Sequence, residues 1–200
     1  MLQINELIFK WPNSIRQEVN LYISAGEIVL IGGPSGIGKT TLFNIISGFY
    51  EPVSGSVIFN RENLLSKPPW KRPVSTMFQS DNLFPQLTVK QNLMLGIKKF
   101  SKDIENQLHF LKIFPLINQK CSDLSGGELQ RVALIKTLSR EKPIILLDEP
   151  FSALDKDMIK KASILIQKHT QKMSSITLLI SHQDVSPHLA IEKEYCLDRT

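Results

Sequence analysis

Ile28-Val29-Leu30-Ile31-Gly32-Gly33-Pro34-Ser35-Gly36-Ile37-Gly38-Lys39-Thr40-Thr41 is the stretch that decides the fold. Its first four residues are an unbroken apolar run ending in glycines, the pattern of a central strand buried on both faces. Residues 33–40 then match G-x-x-x-x-G-K-[S/T] in full, and residues 41–47 read as a helix closed by Gly48. A glycine-rich loop between a buried strand and a helix start lets backbone N–H groups wrap phosphate, with the helix dipole behind them. Lys39 supplies a point charge for the outer phosphates and Thr40 a hydroxyl for Mg2+. A chance match in a chain of this length is on the order of one per cent, so a mere glycine-rich turn is a weak alternative.

Around this stretch the chain holds 200 residues, 42% of them hydrophobic, enough for one packed domain with a small insert and too little for two nucleotide-binding halves. No internal repeat or low-complexity segment interrupts it. The net charge of +5 is spread out, and its closest cluster, residues 67–72, is broken by Pro68, Pro69 and Trp70. A solvated basic surface is expected there rather than a nucleic-acid face. Cys121 and Cys196 have no metal-ligand spacing and read as free thiols in a reducing compartment. Residues 1–9 lack the pattern of a signal peptide, and no run approaches 18 apolar residues, so no membrane span is expected.

Residues 2–9 and 19–23 alternate apolar and polar positions, as half-buried antiparallel strands do. Residues 55–59 and 74–78 read as further strands. From Gln79 to Leu124 the pattern turns helical, with Ile104, Leu108, Leu111 and Ile113 following a Ser101 start. Helix is expected over residues 128–139, buried strand over 144–147, a long helix over 156–173 and buried strand over 176–180. Strands alternating with helices predict an α/β fold: a largely parallel sheet covered on both faces, with an antiparallel N-terminal part. The expected organisation is one ATP-binding domain over residues 1–200, with a helical subdomain at about 80–140 inserted in its core.

Two further groupings carry chemistry. Ile144-Ile145-Leu146-Leu147-Asp148-Glu149-Pro150 sets adjacent carboxylates at the exposed end of a buried strand. Consecutive side chains leave a strand end in different directions, so Asp148 is placed for the magnesium shell and Glu149 to orient and deprotonate a water. Leu124-Ser125-Gly126-Gly127-Glu128-Leu129-Gln130-Arg131 contains a capping box in Ser125 and Glu128. A cap does not need Gly126 and Gly127; two bare N–H groups at a helix start point to a second phosphate-facing end.

Residues 124–131 resemble the signature of ABC transporter ATP-binding subunits, and companion motifs follow in that family's order. Gln79 is similar to the Q-loop glutamine, which touches magnesium and water; Ser152-Ala153-Leu154-Asp155 to the D-loop; His182 to the switch histidine beside the terminal phosphate. The resemblance implies the P-loop NTPase fold of ABC ATPases, with ATP and Mg2+ as cofactors. It implies a catalytic set of Glu149, His182 and Gln79, and magnesium held by Thr40, Gln79 and Asp148. ATP is expected on Gly33, Pro34, Ser35, Gly36, Ile37, Gly38, Lys39, Thr40 and Thr41, with Trp11 stacked on adenine and Phe9 as second choice. Ser125, Gly126, Gly127, Glu128 and Asp155 are expected to face ATP held by a second copy of the chain. Two transmembrane permease subunits, an extracytoplasmic solute-binding protein and a place on the cytoplasmic face of the plasma membrane are further implications, with no nucleic acid.

Residues 68–93 are similar to bacterial importer subunits, most of all to the thiamine importer ATPases; importers of iron, polyamines or anions remain alternatives. A small P-loop kinase is the reading from another class, but it leaves Ser125-Gly126-Gly127 without a use. The chain ends soon after Leu197, so no C-terminal regulatory domain is expected. His109, His169 and His188 have no context that assigns them a role.

Overall fold

The computed structural model describes residues 1–10, 16–80, 82–183 and 187–198. Nine strands and five α-helices follow one another: β1 (Leu2–Phe9), β2 (Gln17–Ile23), β3 (Ile28–Gly32), α1 (Lys39–Ser47), β4 (Ser54–Phe59), β5 (Glu62–Asn63), β6 (Val74–Met77), α2 (Val89–Met94), α3 (Lys102–Phe110), α4 (Gly126–Leu138), β7 (Ile144–Asp148), α5 (Lys156–Met173), β8 (Ile176–Ile180) and β9 (Lys193–Cys196), among the described residues. They form two sheets. One is antiparallel in the order β2-β1-β4-β5; the other is parallel in the order β6-β7-β8-β3-β9.

The parallel sheet shows why its strands are continuously apolar. Along β7, Ile145 and Leu147 enter a core shared with helices α2 to α5, whereas Ile144 and Leu146 enter a second core shared with α1, β1 and β2. Along β8, Leu179 faces the first core and Ile176, Leu178 and Ile180 the second. A strand with cores on both sides has no face left for polar residues. β3 lies between β8 and β9, one place from the sheet edge rather than in its middle. In β2 the alternation of buried and exposed residues is complete, because only one face meets a core.

The basic cluster at 67–72 is not all solvated. Arg72 is buried and its guanidinium caps α1, donating through Nη1 to the carbonyls of Ile45 at 2.6 Å and Ile46 at 3.0 Å, and through Nε to Lys67 O at 2.8 Å. Ile45 and Ile46 lie in the last turn of α1, where carbonyls have no helical donor further along the chain and take donors from outside the helix. Trp70 beside it is 80% exposed. Both cysteines are free, and no described helix is long and apolar enough to cross a membrane.

Candidate functional site

Four of the five α-helices begin under a side-chain cap: Thr88, Ser101, Ser125 and Asp155 accept from backbone N–H groups of α2, α3, α4 and α5. α1 does not. Its N-cap is Gly38, which makes no side-chain cap hydrogen bond, and no acidic residue lies in its first turn. An uncapped helix start keeps its N–H groups and its positive dipole end for an anion. The loop before it needs glycine at Gly33, where φ is +122° and a Cβ would sit 2.5 Å from Leu197 O.

Lys39, Thr40 and Asp148 close the site. Lys39 is buried, and its Nζ donates to the Gly33 carbonyl at 2.7 Å and the Pro34 carbonyl at 3.0 Å. Those carbonyls hold the ammonium inside the loop. Thr40 Oγ1 donates to Asp148 Oδ2 at 2.8 Å, linking the start of α1 to the end of β7. Burial pushes the Asp148 carboxyl above its ordinary range; the Thr40 hydrogen bond opposes this, and the neighbouring Glu149 charge adds to it.

Glu149 follows β7 with φ at +53°. For a residue with a Cβ this left-handed conformation costs about 1–2 kcal/mol, and such strain collects at functional sites. Its N–H donates to Ile180 O at 2.9 Å, which fixes it to the end of β8. Its Oε1 is buried and takes no hydrogen bond. His182 Nε2 lies 3.3 Å from that oxygen without hydrogen-bond alignment, and the His182 N–H donates to Glu149 Oε2 at 3.4 Å. A shielded carboxylate oxygen without a donor is available to a water proton.

These groups share one cleft of about 380 Å³. Ser35, Gly36, Gly38, Lys39, Thr40 and Thr41 line one side, and Gln79, Asp148, Glu149 and His182 the other. Asn44 also lines it. Sequence reading missed Asn44, although its place one turn after Thr40 on the same helix face was a usable signal. Among the described residues no cluster of three or more His, Cys, Asp or Glu side chains suits a metal ion. Mg2+ needs none, because it takes one or two carboxylates and completes its shell with neutral oxygens, water and phosphate. Thr40, Asp148 and Gln79 fit that donor set.

Several expected ATP contacts lie elsewhere. Ile37 is buried in the core, so only its backbone belongs to the loop. Phe9, the second choice for stacking on adenine, is 3% exposed and packs in the same core; a Cβ at Gly38 would meet its ring at 3.0 Å. Trp11, the first choice, lies outside the described residues. Ser125, Gly126, Gly127, Glu128 and Asp155 do not line this cleft.

Glu128 is occupied by the capping box: its Oε2 accepts from Ser125 N–H at 2.8 Å and from Ser125 Oγ at 2.7 Å. The Ser125 hydroxyl bond, then the backbone bond, holds its carboxyl below the ordinary range. Asp155 Oδ1 accepts from Met158 N–H at 2.8 Å as the cap of α5. Gly126 borders a second cavity of about 410 Å³ with Leu129, Gln130, Ser152 and Ala153, and Gln79 borders both cavities. Gly126 itself faces open space; a Cβ at Gly127 would lie 2.8 Å from Ala153 O. Half of the glycine pair is thus required by packing inside the chain.

The ABC transporter family profile matches residues 16–152. The thiamine import ATP-binding protein ThiQ of Haemophilus influenzae (strain Rd) is 42% identical over 190 residues, covering 92% of this chain and 88% of that protein. ThiQ of Escherichia coli K12 is 39% identical, covering 91% and 81%. Among solved structures, a dimeric post-hydrolysis ATP-binding cassette bound to ADP and Pi superposes with a TM-score of 0.83 at 29% identity, covering all of this chain and 95% of that one. With the profile spanning most of the chain and close relatives aligned along nearly all of it, the chain belongs to the ABC transporter family, as one of its ATP-hydrolysing subunits.

Proposed function

We propose that this chain powers a bacterial thiamine importer by hydrolysing ATP between two copies of itself. The observation that carries the hydrolytic reading is the cleft: Lys39 and Thr40 on one side, Asp148 and the shielded Glu149 oxygen on the other. The phosphate loop and the free N–H groups of α1 bind the phosphates, with Lys39 exchanging its two carbonyl partners for phosphate oxygens. Thr40, Asp148 and Gln79 would hold Mg2+, which when bound offsets phosphate charge. Glu149 accepts a proton from the attacking water, and His182 steadies the same carboxylate at the terminal phosphate.

The signature end supports the two-copy arrangement. The capping box at the start of α4 engages Ser125 and Glu128 with each other and not Gly126 or Gly127, and this helix start lies outside the chain's own cleft, which fits a nucleotide brought by a second copy. Gly126, facing open space, leaves room for that approach. We also read the whole chain as one ATP-binding domain whose residues 80–140 form an inserted helical subdomain.

The cargo reading follows the relatives called thiamine import ATP-binding proteins. It implies two permease subunits, an extracytoplasmic binding protein and a place on the cytoplasmic face of the membrane. The test is ATPase stimulation in liposomes holding the complete complex. Thiamine-loaded binding protein is expected to stimulate; stimulation by iron-, polyamine- or anion-loaded protein alone discards the cargo and keeps the ATPase.

A further inference from the structure

Gln130 stands one turn into α4, and its amide is used at both ends. Nε2 donates to the Glu149 carbonyl oxygen at 2.8 Å and to Ser152 Oγ at 2.8 Å; Oε1 accepts from Ala153 N–H at 2.7 Å. A primary amide has two donors, so both are engaged by one short stretch of chain. A second, independent contact falls on the same stretch, because Gly127 approaches Ala153 O too closely for a Cβ. The start of α4 and residues 149–153 are therefore joined without slack. That stretch begins with the residue of strained φ, and such a conformation persists only where its surroundings impose it. Gln130 holds the carbonyl of that very residue.

We infer that Gln130 is a positioning residue that links the start of α4 to Glu149, so that phosphate contact at one nucleotide site sets the base of the other. The inference rests on the two-copy reading above. In that reading Gly126 faces the nucleotide on the partner's phosphate loop, whereas Glu149 serves the nucleotide on its own. One side chain then spans two sites within one chain. A shift of α4 on meeting phosphate moves Ala153 and the Glu149 carbonyl with it, and the link acts equally in reverse. Neither Ser152 nor Ala153 needs to touch nucleotide for this to work.

The test varies ATP in steady-state turnover by the complete transporter complex, for the wild type, Gln130→Met and Gln130→Glu. Gel filtration with ATP of the Glu149→Gln protein accompanies it. Gln130→Met is expected to keep KM for ATP within about twofold, lower kcat roughly tenfold or more, and bring the Hill coefficient toward one. Gln130→Glu keeps an acceptor for Ala153 N–H and loses the donors until its carboxyl is protonated. At the assay pH that carboxyl is ionised, so its kcat is expected to fall at least as far as that of Gln130→Met, with KM for ATP again within about twofold. A purely structural role moves the melting temperature and leaves the Hill coefficient at its wild-type value, which overturns the inference. Wild-type kinetics in both variants do the same. If the wild type shows no cooperativity in ATP and Glu149→Gln forms no ATP-dependent dimer, the two-copy reading has failed and takes the inference with it.

Discussion

Thr40 Oγ1 donates to Asp148 Oδ2 at 2.8 Å, so the first turn of α1 and the last residue of β7 share one proton-bearing contact inside the cleft. The Asp148 carboxyl is held above its ordinary value of 3.8, first by burial. A carboxyl raised in this direction contributes stability that is fully present below its unfolded pKa and is lost as pH rises through its folded pKa. At neutral pH its charge is therefore a cost to the nucleotide-free fold. Asp148→Asn removes that charge and still accepts from Thr40. Its melting temperature without nucleotide or metal should exceed that of the wild type at pH 8, with the gap closing as pH falls toward 4. Its turnover with Mg2+ and ATP should drop by roughly 10²-fold or more. Lower stability at pH 8, or wild-type turnover, contradicts the assignment.

Arg72 should matter to the fold without touching the chemistry. Its guanidinium holds Ile45 O, Ile46 O and Lys67 O, and Gly48 packs against it with no room for a Cβ, which would lie 2.7 Å from Arg72 Nε. Arg72→Met fills part of the space and removes the guanidinium donors to Ile45 O, Ile46 O and Lys67 O. The expected loss is about 2–3 kcal/mol, or a fall in melting temperature of about 4–12 °C for a chain of this size. Thermal unfolding measures it, and a change within about 1 °C counts against the capping role.

Gly126, rather than Gly127, is the position at which to test the shared nucleotide. A side chain at Gly127 strikes Ala153 within its own chain, whereas one at Gly126 enters open space. Gly126→Asp should therefore fold normally and damage only the signature face, as Lys39→Ala damages only the phosphate-loop face. Mixed together, the two variants form pairs in which one site has both faces intact. Photo-crosslinking with an ATP analogue should label both chains in the mixture and neither face alone in full. Label confined to one chain refutes the sharing.

Much of this frame was readable because its signals are local. β8 (Ile176–Ile180) and α5 (Lys156–Met173) match the expected bounds, since a strand with cores on both faces and a long amphipathic helix announce themselves in consecutive residues. β9 went unread: Lys193 and Glu194 are exposed, and this edge strand pairs, among the described residues, only with β3. Its place is set by a partner more than 160 positions away, not by any apolar pattern of its own. The same division runs through the site. Lys39, Thr40, Asp148 and Glu149 sit at strand and helix ends that the pattern located, and they meet in one cleft. Phe9, the second choice for stacking on adenine, is buried, and so is the Ile37 side chain, whose backbone stays in the loop; neither burial shows in a local pattern. Gln130 was visible in the signature stretch; its work was not, since Glu149, Ser152 and Ala153 reach it only in the folded chain.

The central claim is that Glu149 activates water for an ATP held between two copies. Glu149→Gln keeps the shape and hydrogen-bonding capacity of the side chain but cannot take up the water's proton. Turnover and gel filtration should be measured on the same preparation with Mg2+ and ATP. The account predicts turnover lower by roughly 10²–10⁴-fold together with a stable dimer that forms only with ATP. Unchanged turnover with a protein that stays monomeric in ATP would contradict it.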